Sequence, residues 1–254
     1  MKGFLQEYGI IMVVVAVVLG MLAFGKGTYA KSIQNAILGS TDHILETGQN
    51  ITEKLEVGTV IEIDGANYIV MKKLGNGNYY MNTQKIVAKK AYQLSGRTDG
   101  HAKNTYENST IDNYLEKEWY PSLSAEMQKA IQPTKIKQPT RAYSKGKWIL
   151  AEKTTYGETY NELTRHAFVP SIEELEYIVD FNNPGKIEEY ANGDYLWVRD
   201  SHNNAKDYAI NINALMGTLN QYWTDADNYI GVRPGFVLNA SQVNYKKVGE
   251  VNFK

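Results

Sequence analysis

The chain of 254 residues contains no cysteine. That absence removes disulfide scaffolds, thiolate zinc sites, iron–sulfur clusters and every cysteine-nucleophile mechanism. Excess charge of either sign is missing too: 27 Lys and Arg face 28 Asp and Glu, a formal net charge of −1. There is thus no global basic footprint for nucleic acid, and none is expected as a partner. Only 6 prolines and 6 phenylalanines occur, and no proline precedes Pro121. What is present is an apolar share of 43%, enough for a folded core, and a surplus of 19 Tyr and 22 Asn. Flat rings with polar tips and adaptable amides suit recognition surfaces more than cores.

Long apolar runs are also scarce, with one exception. Gly9 to Gly25 is a stretch of 17 uncharged residues, GIIMVVVAVVLGMLAFG. As a helix it would be ~26 Å long, slightly short of a ~30 Å hydrocarbon core. Phe4, Leu5, Tyr29 and Ile33 can extend it. From Lys26 to about Glu46 helical spacing continues with Ile33, Ala36, Ile37, Ile44 and Leu45 near one stripe, and Gly48 offers a stop. One long helix over residues 1–48 is therefore expected, either crossing a membrane or packing in a filament core. A cleaved signal segment is the competing reading, with Thr28-Tyr29-Ala30 as its small-residue site. Glu7-Tyr8 directly before the apolar run, with Lys2 and Gly3 ahead, resembles the N-terminal helix of type IV pilins of the tight-adherence class. That resemblance assigns Glu7 to assembly, since a carboxylate facing hydrocarbon calls for a charge partner, here a neighbouring subunit's terminal amine. A plain single-pass anchor with Glu7 at headgroup level is the alternative.

The globular part, residues 49–254, suits a single domain. Thr59–Ile63 and Asn67–Met71 around Asp64-Gly65 read as a hairpin, and Tyr79–Asn82 as a further strand. Asn108 to Ile131 reads as two helices broken at Tyr120-Pro121, and Gln132 to Tyr160 as loops and brief strands. Ser171-Ile-Glu-Glu174 is a capping box opening a helix to about Phe181, closed by Asn182-Asn-Pro-Gly. Strands are expected at Tyr195–Val198, Tyr208–Asn213, Gly217–Trp223 and Val232–Leu238. Helices early and hairpins late indicate an α+β class.

Most chemical motifs fail on spacing. His43, His101, His166 and His202 share no ligand pattern, so no metal site is assigned. Asp225-Ala-Asp227-Asn228 opens like a calcium loop, but its twelfth position would be Phe236, which excludes the helix–loop–helix version and leaves a looser calcium site as the alternative. No serine sits in a nucleophile elbow, and no base has an orienting partner. Neither catalysis nor a cofactor is expected.

The informative stretch is Asp194 to Asn239. Trp197, Arg199, Arg233 and Pro234 read as scaffold, the two arginines through fixed hydrogen-bond forks. Between them, Ser201 to Tyr229 holds six Asn, three Tyr, three Asp, a His and a Trp. As structure this is a polar surface hairpin or loop; as chemistry it matches a binding face. The expected ligand contacts are His202, Asn203, Asn204, Asn220, Tyr222, Trp223, Asp225, Asn228 and Tyr229.

Asn108-Ser-Thr-Ile-Asp-Asn-Tyr-Leu, Trp119-Tyr120, Phe168-Val-Pro-Ser-Ile-Glu-Glu-Leu, Leu196-Trp-Val-Arg199 and Gly231-Val-Arg-Pro-Gly-Phe236 occur in that order. The ordered set resembles a domain family of unknown function common in gut Gram-positive bacteria, over roughly residues 57 to 240. That family is similar to the C-type-lectin-like, formylglycine-generating-enzyme-like fold and includes variable proteins of diversity-generating retroelements. Asp200-Ser201 and Gly235 depart from the family's Ser-Pro and Ala. The resemblance implies a C-type-lectin-like domain after a long N-terminal hydrophobic helix, with a variable face at residues 200–230. It implies a surface-displayed, adhesin-like protein, membrane-anchored or assembled in an extracellular pilus, binding a protein or glycan ligand. A purely structural filament subunit and a membrane-tethered enzyme are the alternatives.

Overall fold

The computed structural model describes residues 55–94, 103–225 and 230–254, which lie in the second of two units of the chain, Lys54–Lys254. Fifteen named strands and a few short helices make up these residues. The first sheet runs in the order β15-β1-β2-β3-β14-β5, and all its neighbours are antiparallel. Its members are β1 (Thr59–Ile63), β2 (Ala66–Gly75), β3 (Asn78–Thr83), β5 (Ile131–Gln132), β14 (Gly235–Asn239) and β15 (Lys246–Glu250). The second sheet is ordered β12-β11-β10-β13-β4, from β4 (Ala88–Lys89), β10 (Tyr195–His202), β11 (Tyr208–Asn213), β12 (Thr218–Trp223) and β13 (Ile230–Val232). A hairpin of β7 (Thr140–Ser144) and β8 (Lys147–Ala151) joins it through β10, while β6 (Thr134–Lys137) pairs β9 (Glu162–Arg165) separately.

Local chemistry explains the turns. Asp64 and Gly65 take φ of 52° and 77°, the left-handed pair that a two-residue hairpin requires, so the expected first hairpin forms. Lys145 and Gly146, at 48° and 79°, do the same between β7 and β8. Pro234 is unsuited to a central ladder, and Arg233-Pro234 is where the chain leaves the second sheet as β13 and enters the first as β14. The strand expected over Val232–Leu238 is therefore two. At Gly235 a Cβ would lie 2.5 Å from the Tyr80 hydroxyl, so a side chain here would push the ring aside.

Helices are brief. Ser109 caps α1 (Thr110–Tyr114), which runs through a π turn, Leu115–Trp119, into α2 (Tyr120–Ser122); α3 (Ala125–Ala130) follows under the Ser124 cap. The break falls after Pro121, not at it, because proline fits the first turn of a helix. The capping box at Ser171 and Glu174 is present, but α4 spans only Ile172–Leu175. Asn182-Asn-Pro-Gly does not merely end a helix: with Pro184 in its first turn it opens α5 (Pro184–Ala191).

The core fills the space among these elements. Ile61, Ile69, Met71, Met81 and Phe236 of the first sheet share one buried cluster with Ile111, Leu115 and Phe168. Tyr68 stands edge-on to Phe236 at 5.4 Å, and Tyr80 stacks on Phe168 at 5.8 Å.

Two expectations are overturned. The domain is not α+β but predominantly β, with 42% of described residues in strands and 18% in helices. Turn residues cut each helical stretch short, and among the described residues the longest regular α-helix, α5, has eight residues. The expected transmembrane helix is not found either: among the described residues, no helix is long and apolar enough to cross a membrane. The long N-terminal hydrophobic helix expected over residues 1–48, with Glu7, lies outside the described residues.

Candidate functional site

Strand β10 organises the site because its one edge is shared. Tyr195 and Leu196 pair in parallel with Ile230 and Gly231 of β13, while Ser201 and His202 pair in parallel with Thr140 and Arg141 of β7. The side chains between these halves are locked. Arg199 donates from Nε to Lys137 O at 2.9 Å, from Nη1 to Val169 O at 2.5 Å and from Nη2 to Glu174 Oε1 at 2.5 Å. Burial pulls its pKa down, yet the Glu174 carboxylate more than offsets this and leaves it above the ordinary arginine value. Asp200 accepts from Arg141 Nε at 2.7 Å and from the Ile172 amide at 2.8 Å; burial pushes its carboxyl up against both. Trp197 donates from Nε1 to Lys90 O at 2.8 Å.

Above this layer the chain turns through Asn203 to Asp207, held from below by Asn104. That side chain is 2% exposed, and its Nδ2 donates to the carbonyls of His202, Ala205 and Tyr208 within 3.1 Å. Tyr160 donates to its Oδ1 at 2.9 Å. The Asn203 backbone is fixed on both sides, donating to Arg141 O and accepting from the Thr155 amide.

The hairpin β7–β8 then reaches across to β12. Trp148 Nε1 donates to Leu219 O at 3.3 Å, its ring stands edge-on to His202 at 5.2 Å, and Tyr143 lies 5.2 Å from it. Between the hairpin and β12 is a cavity of about 410 Å³, walled by Tyr143, Trp148, His202, Asn204, Leu219, Asn220 and Gln221. Aromatic faces on one wall and amides on the other give apolar contact with directed hydrogen bonds, the usual make-up of a ligand site. His202 Nδ1 accepts from the Asn204 amide at 3.2 Å. Burial lowers the His202 pKa from its ordinary 6.5, ahead of opposing pulls from Asn204 and Asp207, so the ring is neutral at pH 7.

Of the expected contacts, the structure brings His202, Asn204 and Asn220 together around this cavity. Tyr222 and Trp223 follow on β12, 43% and 37% exposed, with Trp223 against Tyr208 at 4.4 Å. Asn203 is half-buried beside the cavity, and Asp225 is half-buried past the end of β12. Asn228 and Tyr229 lie outside the described residues. Trp197, Arg199, Arg233 and Pro234 are all buried. Asp200 and Ser201 are wholly buried in the scaffold, so the exposed face begins after them. Among the described residues, no three His, Asp or Glu side chains cluster as metal ligands. Sequence reasoning missed Tyr143, Trp148, Leu219 and Gln221. Tyr-Ser-Lys-Gly-Lys-Trp, two aromatics flanking a Lys-Gly turn, was the available signal for the first two.

Residues 76–240 match the model of the family described as a domain of unknown function, DUF6273, and the chain belongs to that family. The match carries no statement about pilins, lectins, adhesins or diversity-generating retroelements. No curated protein and no solved structure matches the chain.

Proposed function

We propose that the domain is the ligand-binding head of a surface-displayed protein, and that it takes its ligand between the β7–β8 hairpin and β12. The observation that carries this reading is the cavity of about 410 Å³, built from aromatic and amide side chains beside the buried Arg199, Asp200 and Asn104 bonds. Rigid rings mounted on strands lose little entropy on binding, and amides adapt their hydrogen bonds to the ligand. A variable, C-type-lectin-like protein is the finer kinship proposed. Its support is the ordered motif set, together with exposed Asn204, Asn220 and Tyr222 within the Asn-rich stretch. Display at a membrane or in a filament is supported by the uncharged run Gly9–Gly25, a property of the sequence alone.

The test uses the full-length protein on arrays of glycans and peptides, with each hit titrated by tryptophan fluorescence. Trp148→Ala and the double variant Tyr222→Ala/Trp223→Ala are expected to weaken every hit at least ~10-fold with unchanged circular dichroism. Hits bound equally by both variants would remove the reading. Sequencing the gene deeply within one culture tests the kinship: substitutions gathered at Asn codons between residues 200 and 229 support it, and uniform silence removes it.

A further inference from the structure

Three of the four described arginines carry a carboxylate partner. Arg141 meets Asp200 at 2.7 Å, Arg165 grips Asp112 through two bonds of 2.7 Å, and Arg199 meets Glu174 at 2.5 Å. Arg233 does not, although it is only 4% exposed. Its Nε donates to Thr83 O at 2.8 Å, its Nη1 donates to Tyr190 O at 2.7 Å, and the guanidinium lies 4.3 Å over the Tyr190 ring. Nη2 is buried with no acceptor. A buried cation without an opposing charge is costly, and so is a buried guanidinium N–H left unpaired. Burial accordingly holds the Arg233 pKa below its ordinary value, against smaller opposing pulls from Tyr190 and Asp194.

Arg233 is one of the residues lining a cavity of about 200 Å³, where Lys85, Ile86, Asn192 and Asp194 also stand. Lys85 is exposed at this cavity. Asp194 is paired with Lys89 at 3.2 Å, which reduces its repulsion of an entering anion. The carbonyl end of α5 also lies here, at Ala191. That end and Asp194 set a limit on negative charge, favouring a planar monoanion over a doubly charged phosphate.

We propose that this cavity is a carboxylate-binding site, in which a carboxylate oxygen accepts from Arg233 Nη2 and pairs with Lys85. The carboxylate belongs to a free small acid or to the C-terminus of a peptide. The site rests on no assumption about the β12 face.

The test measures melting and binding heat of the full-length protein in sodium acetate, sodium phosphate and sodium chloride at matched ionic strength. A dipeptide with a free C-terminus is compared with its amide. Acetate is expected to bind saturably with Kd on the order of 1–10 mM, as befits so few atoms. Lys85→Glu should weaken this at least ~5-fold, and Ile86→Trp should abolish it by filling the space while sparing the Arg233 bonds. The dipeptide binding much more tightly than acetate, and its amide not at all, assigns a peptide terminus; acetate binding as tightly assigns a free acid. No acetate effect beyond chloride, or one untouched by Lys85→Glu, overturns the site, and tighter binding of phosphate overturns its carboxylate preference. Should Ile86→Trp fail to fold, Lys85→Glu and the amide still decide.

Discussion

In the interior, Asn82, Asn104, Tyr92, Tyr106 and Tyr190 are buried with their polar tips bonded to fixed partners, whereas buried Asn211 has none for its side chain. Around the cavity of about 410 Å³, Asn204, Asn220, Tyr143 and Tyr222 face solvent. These regions use the same two residue types for opposite ends. In the first, a tyrosine or asparagine removes a penalty by satisfying backbone carbonyls and side chains that would otherwise be orphaned. In the second, its polar groups remain available to a ligand. A surplus of Tyr and Asn in the composition is therefore no measure of binding surface; much of it braces the interior.

The contrast breaks most readily at its base. Arg199→Ala strands Glu174 and two carbonyls, so urea unfolding should show a loss of about 3–5 kcal/mol. Asn104→Ala orphans the carbonyls of His202, Ala205 and Tyr208 at once. A cost of about 2–3 kcal/mol is expected, with faster hydrogen exchange confined to residues 202–208. At the rim, Trp148→Ala should register chiefly in affinity, about 10-fold or more, as read by titration.

Protonation offers a gentler probe. Because burial places the folded-state pKa of His202 below 6.5, the unfolded chain binds the proton first. Its contribution is complete above pH 6.5 and is lost as pH falls from there through the folded value, which denaturation at several pH values will follow. His202→Gln should flatten that part of the profile. Tyr222→Ala sits at the small end, changing stability by no more than about 0.5 kcal/mol. A loss as large as that of Asn104→Ala would erase the distinction between brace and rim.

Legibility in the sequence followed the range of the forces involved. Asp64-Gly65 and the Ser171–Glu174 capping box act within a few residues, and both were readable. The anchoring forks expected of Arg199 and Arg233 came from their motifs, but neither their burial nor their inequality did, because Glu174 and the missing counter-ion are set by packing. Val232–Leu238 read as one strand because both halves are apolar, and only tertiary pairing reveals the change of sheet at Arg233-Pro234. Asn182-Asn-Pro-Gly carries signals for stopping and for starting a helix, and local chemistry alone does not choose between them. Trp148 went unrecognised because its importance lies in reaching β12, a partner some 70 positions away.

The divided edge of β10 separates two ways in which the protein can vary. Point substitutions on β12 alter what one wall of the cavity offers, residue by residue. The opposing wall hangs from β10 by the two residue pairs with β7, so the ladder with β13 does not depend on it. Each pair of residues inserted at Lys145-Gly146, one per strand, would lengthen the hairpin by about 3.4 Å without touching that ladder. Reach and chemical preference can thus be inherited separately, the first through insertions and the second through substitutions.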